Sequence, residues 1–325
     1  MRAIVYDRFG PAAEVLELRE LPTPDPAPGE VLVRLTRSGV NPSDVKARAG
    51  SRPGVTRPPF PLIVPHSDGA GVIEAVGEGV SGNRIGERVW IWNGQWQRPF
   101  GTAAEMMALP SVQAVTLPEG VSDDTGATLG IPGLTAAHCV LGGDPVAGRR
   151  VLVSGGAGAV GHTAVQLAAW AGAEVIATCS ARDAERVRTA GAAHVFDYRD
   201  PDLAAKIAGI GPVDRAVEVE FGVNARLLAE VMAPLGTVAA YGSALDMAPV
   251  LPFGAMLFKA LKIDITLVYI LPDAPRAAAV TALHEALQSG ALVPAVHEVL
   301  PLDQAVQAHQ IVEAGGRAGA MLLGM

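Results

Sequence analysis

Seven residues near the middle of the chain, Gly155-Gly156-Ala157-Gly158-Ala159-Val160-Gly161, join the apolar stretch Arg150–Ser154 to an apolar-faced segment that runs to about Ala171. The first segment is typical of a strand and the second of a helix. Glycines at this spacing allow a tight turn and let backbone N–H groups approach a pyrophosphate, to which the helix N-terminus adds positive potential. The run therefore predicts a dinucleotide site, the alternative being a tight turn that holds no ligand.

Strand–helix alternation surrounds the glycine run. From about Asp123 to Tyr269, short apolar stretches alternate with helical patterns, which predicts a six-stranded parallel sheet with helices on both faces. The first third of the chain consists of short β-branched runs, such as Glu30–Thr36, separated by proline and glycine, and predicts a mostly-β domain. The tail is too short for a third domain, so we expect it to return to the first. The predicted fold is α/β, with a Rossmann domain of residues 123–269 inserted in a mostly-β domain of residues 1–122 and 270–325.

The residues after the second strand of the Rossmann segment bear on cofactor choice. Sites that prefer NAD place Asp or Glu at the end of that strand, where the carboxylate binds the ribose 2′-hydroxyl. Here the strand leads into Ser180 and Arg182, and the first carboxylate is Asp183. A hydroxyl and a guanidinium suit a 2′-phosphate, and Tyr198, after the third strand, is a further candidate. The pattern favours NADPH, unless Arg182 is only a solvated residue at a helix start.

Composition excludes several classes of protein. The chain has 325 residues, of which 50% are hydrophobic, and this content is too high for a disordered protein. Its net charge of −8 argues against a general nucleic-acid binder, and no segment has the ~20 apolar residues that a membrane helix needs. Two cysteines, Cys139 and Cys179, favour free buried thiols in a reducing cytosol over a disulfide framework. We expect a soluble, cytoplasmic protein without a signal peptide.

Further short segments occur in a characteristic order along the chain. They are Gly39–Asp44, Ser67–Gly77, Gly86–Val89, Pro132–Ala136, the glycine run, Ala190–Ala192 and Tyr198-Arg199. With them the chain resembles the zinc-independent quinone oxidoreductase (zeta-crystallin-like) branch of the medium-chain dehydrogenase/reductase superfamily over nearly its whole length. The resemblance implies that the mostly-β domain is GroES-like, that a cleft separates the two domains, and that homodimers or tetramers form through an edge strand of the Rossmann sheet. The candidate edge strand is Ile263–Leu271.

The glycine run, the residues proposed for the 2′-phosphate and the resemblance together give a set of cofactor-binding positions. Tyr241, Gly242 and Ser243 follow a Rossmann strand, and we expect them to contact the cofactor from the side opposite the glycine run. The full set is Thr135, Gly155, Gly158, Ala159, Val160, Gly161, Ser180, Arg182, Tyr198, Tyr241, Gly242 and Ser243.

The sequence departs from the family pattern at three places near the expected cleft. His66 replaces the usual glycine before Ser67, Lys46 stands where an aromatic residue is common, and Val219-Glu220 replaces an Asp-Ser or Asp-Pro pair. Substrate choice therefore does not carry over from the family.

The zinc-dependent alcohol dehydrogenases of the same superfamily are also similar, so their ligand positions need separate comparison. Their first catalytic cysteine would fall at Ser38, and their Gly-His-Glu signature corresponds to His66-Ser67-Asp68, with serine in the histidine position. The closely spaced cysteines of a structural zinc site are missing from the sequence. We predict that no metal is bound, and that His66 lines the cleft or caps a turn.

A metal-free site points to an acceptor that is already electrophilic. Zinc would stabilise an alkoxide as a Lewis acid, and the sequence has no obvious Ser-Tyr-Lys relay to replace it. A quinone or an enone can accept hydride from NADPH with little further help, while the protein supplies proximity and orientation. The sequence thus predicts an NADPH:quinone oxidoreductase. The alternatives are an enone, alkenal or enoyl-thioester reductase and a non-catalytic NADPH-binding protein.

Two groups of residues are candidates on the acceptor side. By resemblance, Asn41 lies near the nicotinamide with Asp44 behind it, where Asn41 could donate to the acceptor oxygen. The alternative is that both residues only shape the loop before Pro42. Trp90, Trp92 and Trp96 lie close together in the sequence and could form an aromatic wall, although tryptophans more often serve packing.

Overall fold

The computed structural model describes residues 1–51 and 54–325 and divides them into two compact units. The strands are β1 Arg2–Val5, β2 Glu17–Glu20, β3 Glu30–Val40, β4 Asp68–Val76, β5 Arg88–Ile91, β6 Met106–Pro110, β7 Ala114–Thr116, β8 Arg150–Val153, β9 Glu174–Cys179, β10 His194–Asp197, β11 Val213–Glu218, β12 Met232–Ala240, β13 Lys262–Ile265, β14 Val296–Pro301 and β15 Ala320–Gly324. The α-helices are α1 Ala12–Val15, α2 Pro42–Arg48, α3 Asp123–Gly126, α4 Leu134–Leu141, α5 Ala159–Trp170, α6 Ala184–Thr189, α7 Leu203–Ile210, α8 Phe221–Val231, α9 Phe253–Phe258, α10 Asp273–Gln288 and α11 Ala305–Ala314. A π-helical turn, Leu129–Gly133, precedes α4, and short 3-10 turns occupy Gly82–Arg84, Ser111–Gln113, Ala181–Asp183, Val268–Ile270 and Leu302–Gln304.

The two units are Met1–Ile131 with Val296–Met325, and Pro132–Ala295. These bounds differ from those expected at residues 122/123 and 269/270. The segment 123–131 joins the first unit because α3 packs against β4. The segment 270–295 belongs to the second unit because its long helix α10 packs against α4.

The first unit is built from both ends of the chain, as predicted. Its main sheet has the order β14-β15-β3-β4-β5-β7, with β6 also paired to β3, while β1 and β2 form a separate hairpin. The C-terminal strand β15 runs antiparallel to β3, which brings Met321 opposite Val40. Along β3, alternate residues Val31, Val33 and Leu35 are buried in one apolar cluster, as expected where side chains alternate between sheet faces.

The second unit contains the predicted six-stranded parallel sheet. Its order is β10-β9-β8-β11-β12-β13, and every pairing is parallel. Val151, Leu152 and Val153 of the central strand β8 are all buried, because helices cover both faces of such a sheet. The direction of the strand order reverses next to β8, and in open sheets of this type ligands bind beyond the carboxyl ends of the strands at such a point.

Two local predictions need correction. The proposed edge strand Ile263–Leu271 is shorter, since β13 covers only Lys262–Ile265 and a 3-10 turn over Val268–Ile270 ends the extended backbone. The helix that the strand–helix alternation predicts after the second Rossmann strand begins as a 3-10 turn over Ala181–Asp183, and its α-helical part is α6. Within the part of the chain that the structure describes, no helix combines the length and hydropathy needed to cross a bilayer.

Candidate functional site

The glycine run forms the connection between β8 and α5. Gly155 has a φ of +69°, a conformation that favours glycine, and its carbonyl accepts a hydrogen bond from the Gly158 amide at 3.0 Å. The Gly156 amide donates to the Thr178 carbonyl of the neighbouring strand at 2.8 Å. Helix α5 then starts at Ala159 with Gly158 as its N-cap. The turn is thus anchored to the sheet on one side, and the first amides of a twelve-residue helix follow it on the other.

Close packing explains the third glycine of the run. A Cβ atom added at Gly161 would lie 2.1 Å from the Gly155 carbonyl oxygen, so any side chain there would force the turn open. At Gly158 the nearest such atom is 3.5 Å away, which is an ordinary contact. Gly161 is therefore required by the turn itself, whereas Gly158 leaves space beside the helix N-terminus for a ligand to approach.

The residues proposed for the 2′-phosphate lie together at the carboxyl ends of β9 and β10. The Tyr198 amide donates to the Cys179 carbonyl at 3.2 Å, which places the Tyr198 backbone beside Ser180. Tyr198 is exposed, and its hydroxyl accepts a 2.8 Å hydrogen bond from Arg199. The structure also shows what the sequence did not indicate. Ser180 Oγ donates to Asp183 Oδ2 at 2.5 Å, and Arg182 Nε lies 3.3 Å from the same oxygen.

Tyr241, Gly242 and Ser243 follow β12 and are tied to the loop after β11. The Tyr241 amide donates to the Glu218 carbonyl at 3.0 Å, and Ser243 Oγ accepts from the Gly222 amide at 2.8 Å. The Glu220 carboxylate accepts hydrogen bonds from the amides of Ala244 and Leu245, at 3.0 and 2.8 Å, just after this segment. The two loops therefore form one hydrogen-bonded unit at the same edge of the sheet as the glycine run.

Glu218 is a buried carboxylic acid that sequence reasoning missed. Its Oε1 atom accepts hydrogen bonds from Ser154 Oγ at 2.8 Å, from Asn224 Nδ2 at 2.9 Å and from the Glu220 amide at 2.6 Å. Burial nevertheless raises the pKa of Glu218, because these donors offset only part of the desolvation. An acidic residue ending the apolar strand Ala216-Val217-Glu218 was the available signal.

Asn41 and Asp44, the candidate catalytic residues, lie in the first unit at the start of α2. The Asp44 carboxylate accepts from the Asn41 amide at 2.8 Å, and Asn41 Nδ2 donates to Asp68 Oδ2 at 2.8 Å. All three side chains are buried. Burial, with the nearby charge of Asp44, raises the pKa of Asp68 well above its ordinary value, although Asn41 and the Ile131 amide donate to it. These contacts hold the loop before Pro42 in shape, and a catalytic role for Asn41 and Asp44 stays a prediction.

A second polar group in the first unit is formed by Ser38, His66, Thr102 and His309, which we call the hydroxyl–histidine cluster. All four residues are fully buried. Thr102 Oγ1 donates to the Asp68 carbonyl at 2.5 Å, and Ser38 Oγ lies 2.8 Å from Thr102 Oγ1. His66 Nδ1 lies 2.9 Å from Ser38 Oγ, and its Nε2 lies 2.9 Å from His309 Nε2.

The proton positions in this cluster follow from one fixed end. A carbonyl can only accept, so the Thr102 proton points to Asp68 and Thr102 must accept from Ser38. Ser38 then has no proton left and must accept from His66 Nδ1–H, which leaves His66 Nε2 to accept from His309 Nε2–H. Both rings are therefore neutral, and His309 Nδ1 is a buried acceptor without a hydrogen-bond partner among residues 1–51 and 54–325. In agreement, burial lowers the pKa of His66 to about 3 and that of His309 well below its ordinary value.

These residues do not fit a zinc ion. Ser38 and Ser67 provide no thiolate or imidazole at the positions where the zinc enzymes have them, and both ring nitrogens of His66 are used within the cluster. His66 has a φ of +76°, a backbone conformation that suits the glycine usual in the family. Across the residues that the structure describes, no group of three or more His, Cys, Asp or Glu is arranged to hold a metal.

The remaining predicted positions have simpler environments. Trp90 is fully buried in β5, which supports packing as its role, whereas Trp92 and Trp96 are partly buried. Thr135 is buried in the first turn of α4. Sequence reasoning missed His309 and Thr102, because each lies far along the chain from its partners. It also missed Arg186, whose guanidinium donates to the Ala157 carbonyl inside the glycine run.

Comparisons with known proteins identify the family to which this chain is similar. Family models of the alcohol dehydrogenase GroES-like domain and of the zinc-binding dehydrogenases match residues 27–119 and 190–323. The human quinone oxidoreductase is 31% identical over 99% of this chain and 97% of its own length. The human synaptic vesicle membrane protein VAT-1 homolog is 35% identical over 75% of this chain, which spans 61% of the length of that protein.

Two solved structures are similar over the whole chain. A mycobacterial protein determined in complex with NADPH has 27% identity and a TM-score of 0.87, with all of both chains covered. A 2-haloacrylate reductase has 27% identity and a TM-score of 0.85, covering 100% of this chain and 99% of its own.

Proposed function

The chain belongs to the quinone oxidoreductase branch of the medium-chain dehydrogenase/reductase superfamily, and from that premise we propose that it transfers hydride from NADPH to a quinone-type acceptor without a metal ion. The observation that carries the proposal is the turn at Gly155–Gly161, which leads directly into the N-terminus of α5. That turn provides backbone amides for a pyrophosphate, and the quinone oxidoreductase relatives supply the acceptor class.

The cofactor supplies the hydride, and this chain's residues hold it. The amides at the start of α5 would bind the pyrophosphate, aided by the helix dipole and by the space beside Gly158. Ser180, Arg182 and Tyr198 would bind the 2′-phosphate, and the similarity to a mycobacterial structure in complex with NADPH supports this choice of cofactor. Thr135 and the segment Tyr241–Ser243 would contact the nicotinamide end of the cofactor.

Asn41 is the proposed donor to the acceptor oxygen. Its side-chain amide has two N–H groups, of which Asp68 takes one at 2.8 Å, so the amide is held in a fixed orientation. The second N–H would donate to the acceptor oxygen and stabilise the negative charge that develops on it during hydride transfer. Asp44 acts through Asn41 as a positioning residue, because its carboxylate holds the Asn41 backbone amide.

The zinc-free character of the proposal rests on donor chemistry. Ser38 and Ser67 are poor zinc ligands, and neutral His66 is bonded through both nitrogens. A simple alcohol would need a Lewis acid to stabilise its alkoxide, whereas the reduced form of a quinone is a stable phenolate that solvent can protonate.

Steady-state NADPH oxidation across quinones, enones and simple carbonyls tests the acceptor class. We expect turnover with quinones that survives EDTA, and Asn41→Ala should lower kcat more than it raises KM if Asn41 acts in the transition state. Loss of activity with EDTA and recovery with zinc would refute the metal-free mechanism. Preference for an enone or enoyl thioester would favour the double-bond reductase alternative, which the 2-haloacrylate reductase likeness supports. Tight NADPH binding without any turnover would indicate a non-catalytic binder.

The partner surface proposed for this chain is the edge strand β13, through which we infer a homodimer. Ile265 at the end of β13 is 79% exposed, and Ile270 in the 3-10 turn that follows is 64% exposed. An open strand edge with apolar side chains favours pairing with another strand. Ile265→Glu should convert dimers to monomers in sedimentation. A variant that still forms dimers would exclude this edge. A cytoplasmic location remains a proposal that rests on the two free, buried cysteines.

A further inference from the structure

Asp183 lies among the side chains that were assigned to the cofactor's 2′-phosphate and accepts hydrogen bonds from two of them. Both hydrogen bonds, from Ser180 Oγ at 2.5 Å and from Arg182 Nε at 3.3 Å, end on its Oδ2 atom. The Asp183 side chain is only 17% exposed, whereas that of Arg182 is 66% exposed. The carboxylate is therefore the more buried member of the group.

These bonds change what Ser180 and Arg182 can offer to a ligand. A hydroxyl has one proton, so Ser180 cannot donate to a phosphate while it donates to Asp183. The charge of Arg182 is partly compensated by the same carboxylate. A 2′-phosphate would also bring negative charge next to an ionised carboxylate, and like charges at close range repel.

Asp183 is ionised at neutral pH. Burial acts in the opposite direction, but the hydrogen bonds from Ser180 and Arg182 and the charge of Arg186 lower the pKa of Asp183. Arg186 is one turn further along α6 and binds the Ala157 carbonyl, so it links this group of charges to the glycine run. Carboxylate and nucleotide turn thus belong to one site.

We propose that Asp183 is a specificity-determining residue that limits the preference of this chain for NADPH and makes NADH an effective second cofactor. Its Oδ1 atom takes part in neither of the two bonds and is the acceptor for the ribose 2′-hydroxyl of NADH. A 2′-phosphate binds only where Ser180 and Arg182 turn away from Asp183. The proposal rests on the nicotinamide cofactor assigned above and refines which form of it the site accepts.

A purely structural role for Asp183 is the competing explanation. Asp183 is the N-cap of α6, although its side chain makes no capping hydrogen bond. Asparagine caps helices as well as aspartate does and can still accept from Ser180, so Asp183→Asn removes the charge and keeps the local structure.

The test is to measure by calorimetry the equilibrium binding of NADPH and of NADH to this protein in the absence of any acceptor. Asp183→Asn should tighten NADPH binding about ten-fold, while NADH binding stays unchanged or weakens. The matched control is Glu185→Gln, which removes the same charge from a side chain that is 85% exposed two residues along the chain. We expect the control to leave the ratio of the two dissociation constants within about two-fold of wild type.

The proposal is overturned if Asp183→Asn leaves that ratio unchanged, shifts it no more than Glu185→Gln does, or weakens both cofactors equally. The outcome is independent of the acceptor. Wild-type protein that binds only NADH would refute the NADPH assignment, and a gain of NADPH binding in Asp183→Asn would still support the role of Asp183. If Asp183→Asn shifts the ratio of the two dissociation constants but leaves the acceptor specificity unchanged, the role of Asp183 is supported independently of the proposed acceptor.

Discussion

The turn at Gly155–Gly161 and the hydroxyl–histidine cluster differ in their hydrogen bonding. The turn leads to backbone amides that are available to a ligand, whereas the side chains of the cluster bind mostly to one another. The turn comes from seven consecutive residues and leads into helix amides that have no partner within the helix. In the cluster, the contact between His66 and His309 joins residues that are 243 positions apart in the chain. The hydrogen-bonding groups of the cluster pair with one another, except for His309 Nδ1.

The difference separates a site made for a ligand from a site closed to one. Beside Gly158 there is space in which a phosphate could approach the first helix amides, which have no partner within the helix. Within the hydroxyl–histidine cluster, each donor already has an acceptor, and all four side chains are buried. Variants that disturb one region should therefore affect cofactor binding, and variants that disturb the other should affect stability.

The largest effect is expected at Gly161. In Gly161→Ala the new methyl group meets the Gly155 carbonyl oxygen, so the turn must open. Overpacking of this kind costs about 1–3 kcal/mol of unfolding free energy. Displacement of the amides by about 1 Å should weaken NADPH binding by about a hundred-fold or more. Urea unfolding and a binding titration measure the two effects.

Gly209→Ala is the matched control, since a Cβ atom at that position in α7 has open space around it. It should stabilise the helix slightly and leave the cofactor's dissociation constant unchanged. Equal behaviour of the two variants would contradict a special role for the turn.

Ser38→Ala should show the opposite pattern. The substitution leaves His66 Nδ1–H without an acceptor and Thr102 without a donor, and a buried unsatisfied group costs about 1–3 kcal/mol. Cofactor affinity should not change. Ser43→Ala provides the comparison, because Ser43 Oγ is buried without a partner among the described residues and its removal should cost little. A loss of NADPH affinity in Ser38→Ala, with stability intact, would refute this separation.

The pH dependence of stability sharpens the same contrast. The pKa of His66 is about 3 in the folded protein and ordinary in the unfolded chain, so the unfolded chain binds the proton first as the pH falls. The free energy of unfolding should be at its full value above about pH 6.5 and decrease toward pH 3, with a slope of up to about 1.4 kcal/mol per pH unit.

His66→Asn removes this titration while tolerating the positive φ at position 66. Denaturation at several pH values should therefore give a shallower slope for the variant than for the wild type. Other buried histidines, such as His162 with a pKa of about 4, titrate in both proteins and cancel in the difference. Parallel slopes would show that His66 is not the responsible group.

The smallest effect is expected for Arg182→Ala. The side chain is 66% exposed and partly neutralised by Asp183, so its contact with a phosphate is worth no more than about ten-fold in NADPH affinity. NADH affinity should stay the same, and the effect should shrink at high salt. Arg188→Ala is the control, because Arg188 is an exposed arginine of the following helix α6. Similar losses for both cofactors would mean that Arg182 has a structural role.

The parts of this fold that were predictable from sequence are those with a local pattern. The six parallel strands and the glycine run have periodicity and spacing that can be recognised within about 20 residues. The return of the C-terminal strand to the first domain was also inferred from the short tail and the family resemblance, although its pairing with β3 was not predicted. The residue at which the edge strand ends within Ile263–Leu271 could not be predicted, because extended and 3-10 backbone have similar apolar sequences.

Side-chain partners proved harder to predict than elements. Asp183 was identified only as a carboxylate beyond the strand end, and its bond to Ser180 depends on the 3-10 turn that replaces the start of the helix. His309 carried no sequence signal at all, since an imidazole on an apolar helix face is as compatible with packing as with hydrogen bonding. Its role depends on α11 packing in the first unit, which is a long-range event.

The one-way order of protons from His309 to Asp68 constrains how this chain can evolve. A cysteine at position 38 would place there the residue that zinc enzymes carry, but a thiol is a weaker donor to Thr102 than the hydroxyl of Ser38, and a metal-bound thiolate cannot donate at all. A histidine at position 67 would in turn have to compete with His66 for space and partners in a buried region. Each single substitution toward a zinc site would therefore disturb the hydrogen bonds of the cluster, so we expect the effects of such substitutions on stability to be non-additive. The cluster thus favours serine at position 38 for as long as its buried neighbours stay unchanged.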